Sequence, residues 1–330
     1  MAPTREVVIT GMGVVSPIGI GIEQFWSSLS HGHSGVRSLG ARGGDELPAN
    51  IGAPVLDLHA EQYVRPRKSL KVMGRDIQLA FVAADLASSD AGFGSNPVDP
   101  ERLGIVFGAD LMPGNLDELI PAYRSCMPNG SFDFALWGQK ALDEMFPLWM
   151  LKYLPNMPAC HIGIAHDARG PNNSLTLGEV SSLAAIAEAM RVIERGQADA
   201  MIAGGTGSRI HPVIRGRQKI YWPSQQGDDP AAASRPFDAR RDGMVHGEGA
   251  GAFILEGRDH AQARGARVIG RILGYASAFE SRPRSAELRG EAIRTAIRAA
   301  LEDAGLQPSD VGHVNAHGLS AKVDDELEAQ

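Results

Sequence analysis

Glu179 is the first residue whose setting suggests chemistry. In "SLTLGEVSSLAAIAEAM", residues 174–190, a β-prone run meets Gly178, then Glu179, then two serines and a long helix-forming stretch. The order predicts a strand, a tight turn and a helix N-terminus, a geometry that holds the turn residue out for reaction. That residue is a carboxylate, where a nucleophile such as Ser or Cys is expected. Free N–H groups and the helix dipole favour its ionised form. A second titratable group, His317, sits in "NAHG" at 315–318, with Asp325 and Glu328 soon after. Arg65, Arg67, Lys68, Lys71 and Arg75 crowd into "VRPRKSLKVMGR" at 64–75. Such a run is either the solvated start of a helix or a patch that meets an acidic partner.

Other polar groupings carry less. Cys160 precedes His161, but consecutive residues on a helix or strand point in different directions, so the histidine is poorly placed to activate the thiol. His31 and His33 lie in a loop, and His161 and His166 are five apart, so no metal site is expected. Gly11 and Gly13 suggest a dinucleotide loop until Ser16 fills the third glycine position and Pro17 interrupts the helix start.

The elements around these residues follow from periodicity. "REVVITGMGVVSPIG" reads as a strand entering a loop and "IEQFWSSLSHG" as the helix after it, while 35–60 looks like a surface excursion. "RDIQLAFVAADLASSDAGF" has helical apolar spacing, "RLGIVFGAD" is a buried strand, and "ADAMIAGGTGS" is the strand after the helix that begins near Ser181. Residues 112–160 form an insertion-like region rich in Trp and Phe, expected to be a cap or an interface layer. The alternation implies a parallel sheet covered by helices on both faces. From "GAGAFILEG" a second strand-rich unit is expected, with a helix over "GEAIRTAIRAALEDAGL" and a short strand at "GHVNAHG".

The whole chain bounds the reading. Its 330 residues, 43% hydrophobic, can bury a large core. Thirty-two Lys and Arg against 39 Asp and Glu give a formal charge of −7, which disfavours a nucleic-acid partner. No leader-like start and no apolar run long enough to cross a bilayer is visible, so no membrane is expected. Two cysteines, Cys126 and Cys160, fit a reducing, cytoplasmic setting.

Five motifs in order carry a resemblance: "VVITGMGVVSPIG", "GPNNSLTLGEVSSLAAIAEA", "ADAMIAGGTGS", "RPFDARRDGMVHGEGAGAFILE" and "NAHG". Through them the chain resembles the β-ketoacyl-acyl carrier protein synthases of fatty acid and polyketide synthesis. The resemblance implies a thiolase-like α/β fold, two related halves layered αβαβα, with the first half at 1–256 and the second beginning at 257. It places Glu179 where the family has its nucleophilic Cys, and His317 where the family has the first of two histidines. It implies that Lys68 and Lys71 meet an acyl carrier protein, which brings the phosphopantetheine, so no cofactor of the chain's own is expected. Asp325 and Glu328 fall on downstream acidic positions of structural character. Leu319, Ser320 and Ala321 depart from the family's His-Gly-Thr-Gly-Thr run. Gln330 falls inside an expected helix, so the C-terminal part is expected to be absent and the second half incomplete, without the family's Lys, second His and glycine-rich loop. Three functions follow from Glu179. The leading one is a non-condensing partner subunit, chain-length-factor-like, in a homodimer or a heterodimer with an active synthase. The others are a malonyl-carrier protein decarboxylase and an acyltransferase with Glu179 as nucleophile.

Overall fold

The computed structural model describes residues 5–40, 50–95, 98–215, 223–281 and 289–330. Part of the expected 35–60 excursion, 41–49, lies outside them. Chain order begins with β1 (Val7–Ser16), β2 (Gly19–Ile20), α1 (Ile22–Ser30), β3 (Arg37–Ser38), β4 (Ile51–Gly52), α2 (Arg75–Asp90) and β5 (Leu103–Gly108). α3 (Leu116–Ser125), α4 (Trp137–Glu144), α5 (Met157–Ala165), β6 (Asn172–Leu175), α6 (Ser181–Glu194) and β7 (Ala200–Ser208) follow. The remainder comprises α7 (Pro212–Arg215), β8 (Glu248–Gly257), α8 (Arg258–Ala263), β9 (Gly270–Arg271), α9 (Glu291–Ala304) and α10 (Lys322–Ala329).

One main sheet runs β2-β1-β8-β7-β5-β6, with β9 also on β1. Its central strands β1, β8, β7 and β5 are largely apolar and buried, and all six residues of β5 are buried. That is the mark of a sheet with helices on each side. α2 lies on one face, buried nearly all round with Ile77, Leu79, Phe81 and Ala83 each at most 3% exposed. α6 covers the other face through Ala185, Ala189, Met190 and Ile193. Gly11 and Gly13 of β1 let α2 come close: a Cβ on either would stand 2.3 Å from the Ala87 carbonyl or 2.0 Å from that of Ala83. The spacing that hints at a nucleotide loop is a helix–strand packing device.

The sheet departs from expectation in direction. β5 pairs parallel with β6 and β7, but β8 runs antiparallel to β1 and to β7. The sheet is mixed because β8 arrives from a long excursion rather than from a helical crossover. "GHVNAHG" is not a strand: among the described residues no strand pairs with it, and it is exposed along most of its length. A lone strand leaves its ladder groups unpaired. The aromatic region at 112–160 folds as α3, α4 and α5, with a small cluster of its own in which Trp137 and Trp149 pack against Ala122, Ala141 and Met145.

Candidate active site

β6 ends at Leu175, two residues earlier than the sequence pattern suggests, and a 3₁₀ turn at Gly178–Val180 leads into α6. Gly178 takes φ +63°, a left-handed conformation that costs glycine nothing. The buried Ser181 hydroxyl fixes the turn, accepting from the Leu177 N–H at 2.8 Å and donating to the Gly178 carbonyl at 2.6 Å. Beneath it the floor is backbone: a Cβ on Gly108 would reach 2.5 Å from the Ser181 carbonyl carbon, and one on Gly205 2.5 Å from Ser182 Cβ.

Glu179 thereby enters a cavity of about 750 Å³ whose walls include Asp110, Arg209, His246 and His317. Its Oε1 accepts from Arg209 Nη1 at 2.5 Å, and its Oε2 stands 3.2 Å from His317 Nε2. Arg209 Nη2 donates to Asp110 Oδ2 at 2.9 Å, so four charged groups form one chain. The His317 hydrogen bond, with Arg209 adding to it, holds the Glu179 carboxyl down at about 2 against the opposing effect of burial. In return Glu179 holds His317 above the usual imidazole range. His246 is lowered, by burial first and then by the Arg209 and Arg215 cations. The site pairs an anionic carboxylate with an imidazole whose protonated form that carboxylate favours, while the neutral form of His246 is favoured in the same cavity.

His317 is positioned from α10. Its backbone N–H donates to Glu328 Oε1 at 2.5 Å and the Gly318 N–H to Oε2 at 2.8 Å. Asp325, buried on the same helix, accepts from the Ser320 N–H at 3.0 Å and the Phe237 N–H at 2.8 Å, and Arg241 Nε lies 3.4 Å away. Both carboxylates brace the loop that carries the histidine.

The basic run divides. Lys68 and Lys71 are exposed on a 3₁₀ segment, Arg67–Val72. Arg65 is spent on the carbonyls of Glu61, Gln62 and Val64, and Arg75 opens α2 and pairs with the buried Glu248 at 2.7 Å. Cys160 and His161 lie on α5 and neither lines the Glu179 cavity. Among the described residues no group of three or more His, Cys, Asp or Glu could hold a metal, and no helix is long and apolar enough to cross a membrane. Sequence reasoning misses Asp110, Arg209 and His246. The available signal was position: Asp110 and Arg209 each follow the end of a glycine-containing strand that borders the turn.

The sequence profile of the β-ketoacyl synthase N-terminal domain matches residues 4–261. The chain belongs to the β-ketoacyl synthase family. The profile of the family's C-terminal domain matches residues 269–330, which corrects the expectation that the C-terminal part is absent. Physically, α9 and α10 are formed, and α10 folds back to set His317 beside Glu179. The β-ketoacyl synthase fold is the thiolase-like one, two related halves layered αβαβα. The chain is 32% identical over 327 residues to 3-oxoacyl-[acyl-carrier-protein] synthase 2 of Staphylococcus aureus (strain COL), covering 98% of itself and 75% of that protein. A type II polyketide synthase acyl-carrier protein in complex with its ketosynthase, bound to the hexaketide, is similar at TM-score 0.83 and 27% identity, over 98% of this chain and 76% of that one. The ishigamide ketosynthase/chain length factor is similar at TM-score 0.82 and 26% identity, over 99% and 76%. This places the protein among the β-ketoacyl synthases linked to fatty acid and polyketide synthesis.

Proposed function

We propose that this β-ketoacyl synthase is a non-condensing, chain-length-factor-like subunit that works beside an active synthase on acyl carrier protein. One observation carries the reading: at the position the resemblance assigns to the nucleophilic Cys, Glu179 is locked between Arg209 and His317. A thiolate attacks a thioester and stores the acyl group as another thioester. A carboxylate with both oxygens engaged is a weak nucleophile, and its product would be an anhydride open to hydrolysis. Its negative charge also repels the malonyl carboxylate and competes for the donors that would stabilise an oxyanion. The same argument weighs against decarboxylation and against acyl transfer through Glu179.

Partnership is supported by β6, which pairs with β5 on one side and is the edge of its sheet. An open edge is a ready surface for another strand, here that of a synthase or a second copy. Lys68 and Lys71 offer exposed positive charge to an acidic carrier protein, the molecule that would bring the phosphopantetheine. A cytoplasmic setting fits two free cysteines.

The test is reconstitution with acyl- and labelled malonyl-carrier protein, alone and with the host's synthases, read by product analysis and native mass spectrometry. The expected result is no β-ketoacyl product or decarboxylation from this chain alone, and a complex with a synthase. Condensation by the chain alone, or only monomer in every mixture, overturns the reading.

A further inference from the structure

A second cavity, about 940 Å³, lies on the α2, α3 and α7 side of the molecule and shares Glu248 as a wall with the first. Its Arg and Lys cations pair off with one exception, while Asp117, exposed in the first turn of α3, is in no ion pair among the described residues. Arg75 holds Glu248 at 2.7 Å and Lys152 holds Glu118 at 2.7 Å. Arg215, at the end of α7, is 4% exposed, and its one hydrogen bond among the described residues is from Nη2 to Asn50 Oδ1 at 2.6 Å. It is in no ion pair among those residues, and burial alone pulls its pKa down. Asp76 lines the same cavity, pushed up to about 7 chiefly by burial, and no ion pair joins it to Arg215. His211, lowered by burial, adds no second cation.

A guanidinium stays charged in proteins, and a buried charge without a counterion is costly. The cavity is large enough for a ligand of drug size, and Leu39, Leu116, Ile120 and Ile210 give it an apolar lining. From these we infer that the cavity binds an amphipathic monocarboxylate, its head on Arg215 and its chain along the apolar wall. A planar guanidinium matches a carboxylate in two parallel hydrogen bonds. Arg215 is the one buried cation of the lining without an acidic partner among the described residues and takes one negative charge, whereas a phosphate dianion would crowd Glu248 and Glu118 and meet Asp117 as well. The inference does not depend on the role of Glu179.

Isothermal titration of the full chain with decanoate, 1-decanol and decyl phosphate tests it. Decanoate should bind one to one, and the other two more weakly. Arg215→Met should weaken decanoate at least about tenfold, roughly 1.4 kcal/mol, Arg215→Lys less, and Glu179→Gln not at all. Should Arg215→Met fail to fold, Ile120→Trp, which fills the cavity from its rim, must abolish binding. Absence of decanoate binding, equal binding by Arg215→Met or by 1-decanol, tighter binding of decyl phosphate, or loss through Glu179→Gln would each overturn the assignment.

Discussion

His317 Nε2 stands 3.2 Å from Glu179 Oε2 across 138 residues of sequence. The contact joins the segment matched by the N-terminal profile to the one matched by the C-terminal profile. Each side chain shifts the other's ionisation, and the shifts are measurable.

Titration of His317 by NMR should give a pKa above the ordinary 6.5, returning toward that value in Glu179→Gln. The signs follow for stability. Glu179 is depressed, so its contribution is present above the unfolded value of 4.5 and is lost as pH falls toward about 2. His317 is raised, so its contribution is full below 6.5 and is lost as pH rises through its higher folded value. The pair therefore helps most between those two unfolded values, and urea unfolding across pH should show a stability difference between wild type and Glu179→Gln that is largest there. A difference independent of pH would contradict the coupling.

Glu179→Gln also removes the charge while keeping the size. The variant should bind malonyl-carrier protein more tightly than wild type and gain measurable decarboxylation, with His317 as donor. Calorimetry and labelled carbon dioxide release decide it. Faster decarboxylation by the wild type would make Glu179 a working residue instead of a block.

How far the site can be read from sequence depends on which residues are local to one another. The strand, turn and helix around Glu179 are legible because Gly178, the serines and the helical spacing of α6 are all within one short window. β7 and α2 are legible for the same reason. The Arg209–Asp110 pair is not, since two residues 99 apart meet only after β5 and β7 pair in register. Nor is the antiparallel course of β8, because its direction is set by β1 and β7, not by its own alternation. Arg75 and Lys71 look equivalent in sequence, and only the fold separates a core ion pair from an exposed charge.

Gly205 offers a test of the backbone floor. Gly205→Val should cost about 1–3 kcal/mol through overpacking and push the α6 N-terminus off the sheet, which would also return His317 toward an ordinary titration. Gly207→Ala is the control, since a Cβ there meets nothing within 4 Å. Thermal melts and the His317 titration read both effects, and equal behaviour of the two variants would refute the close-packing account.

Lys68→Glu with Lys71→Glu should slow association with carrier protein by roughly tenfold at low salt, with little change in dissociation. The difference should vanish near 1 M salt, where the Debye length is about 3 Å. Stopped-flow measurements across ionic strength provide the check. A change in dissociation alone would assign these lysines no steering role.

The turn at residues 177–181 is held by the Ser181 hydroxyl, by Gly178 and by the peptide floor, none of which uses the side chain at 179. Position 179 is therefore a socket. The frame keeps its shape whichever group is plugged in, and the cavity takes its chemistry from that one replaceable fitting. One substitution can exchange the fitting and keep the fold, so that a turn able to present a reactive atom here presents a fixed charge.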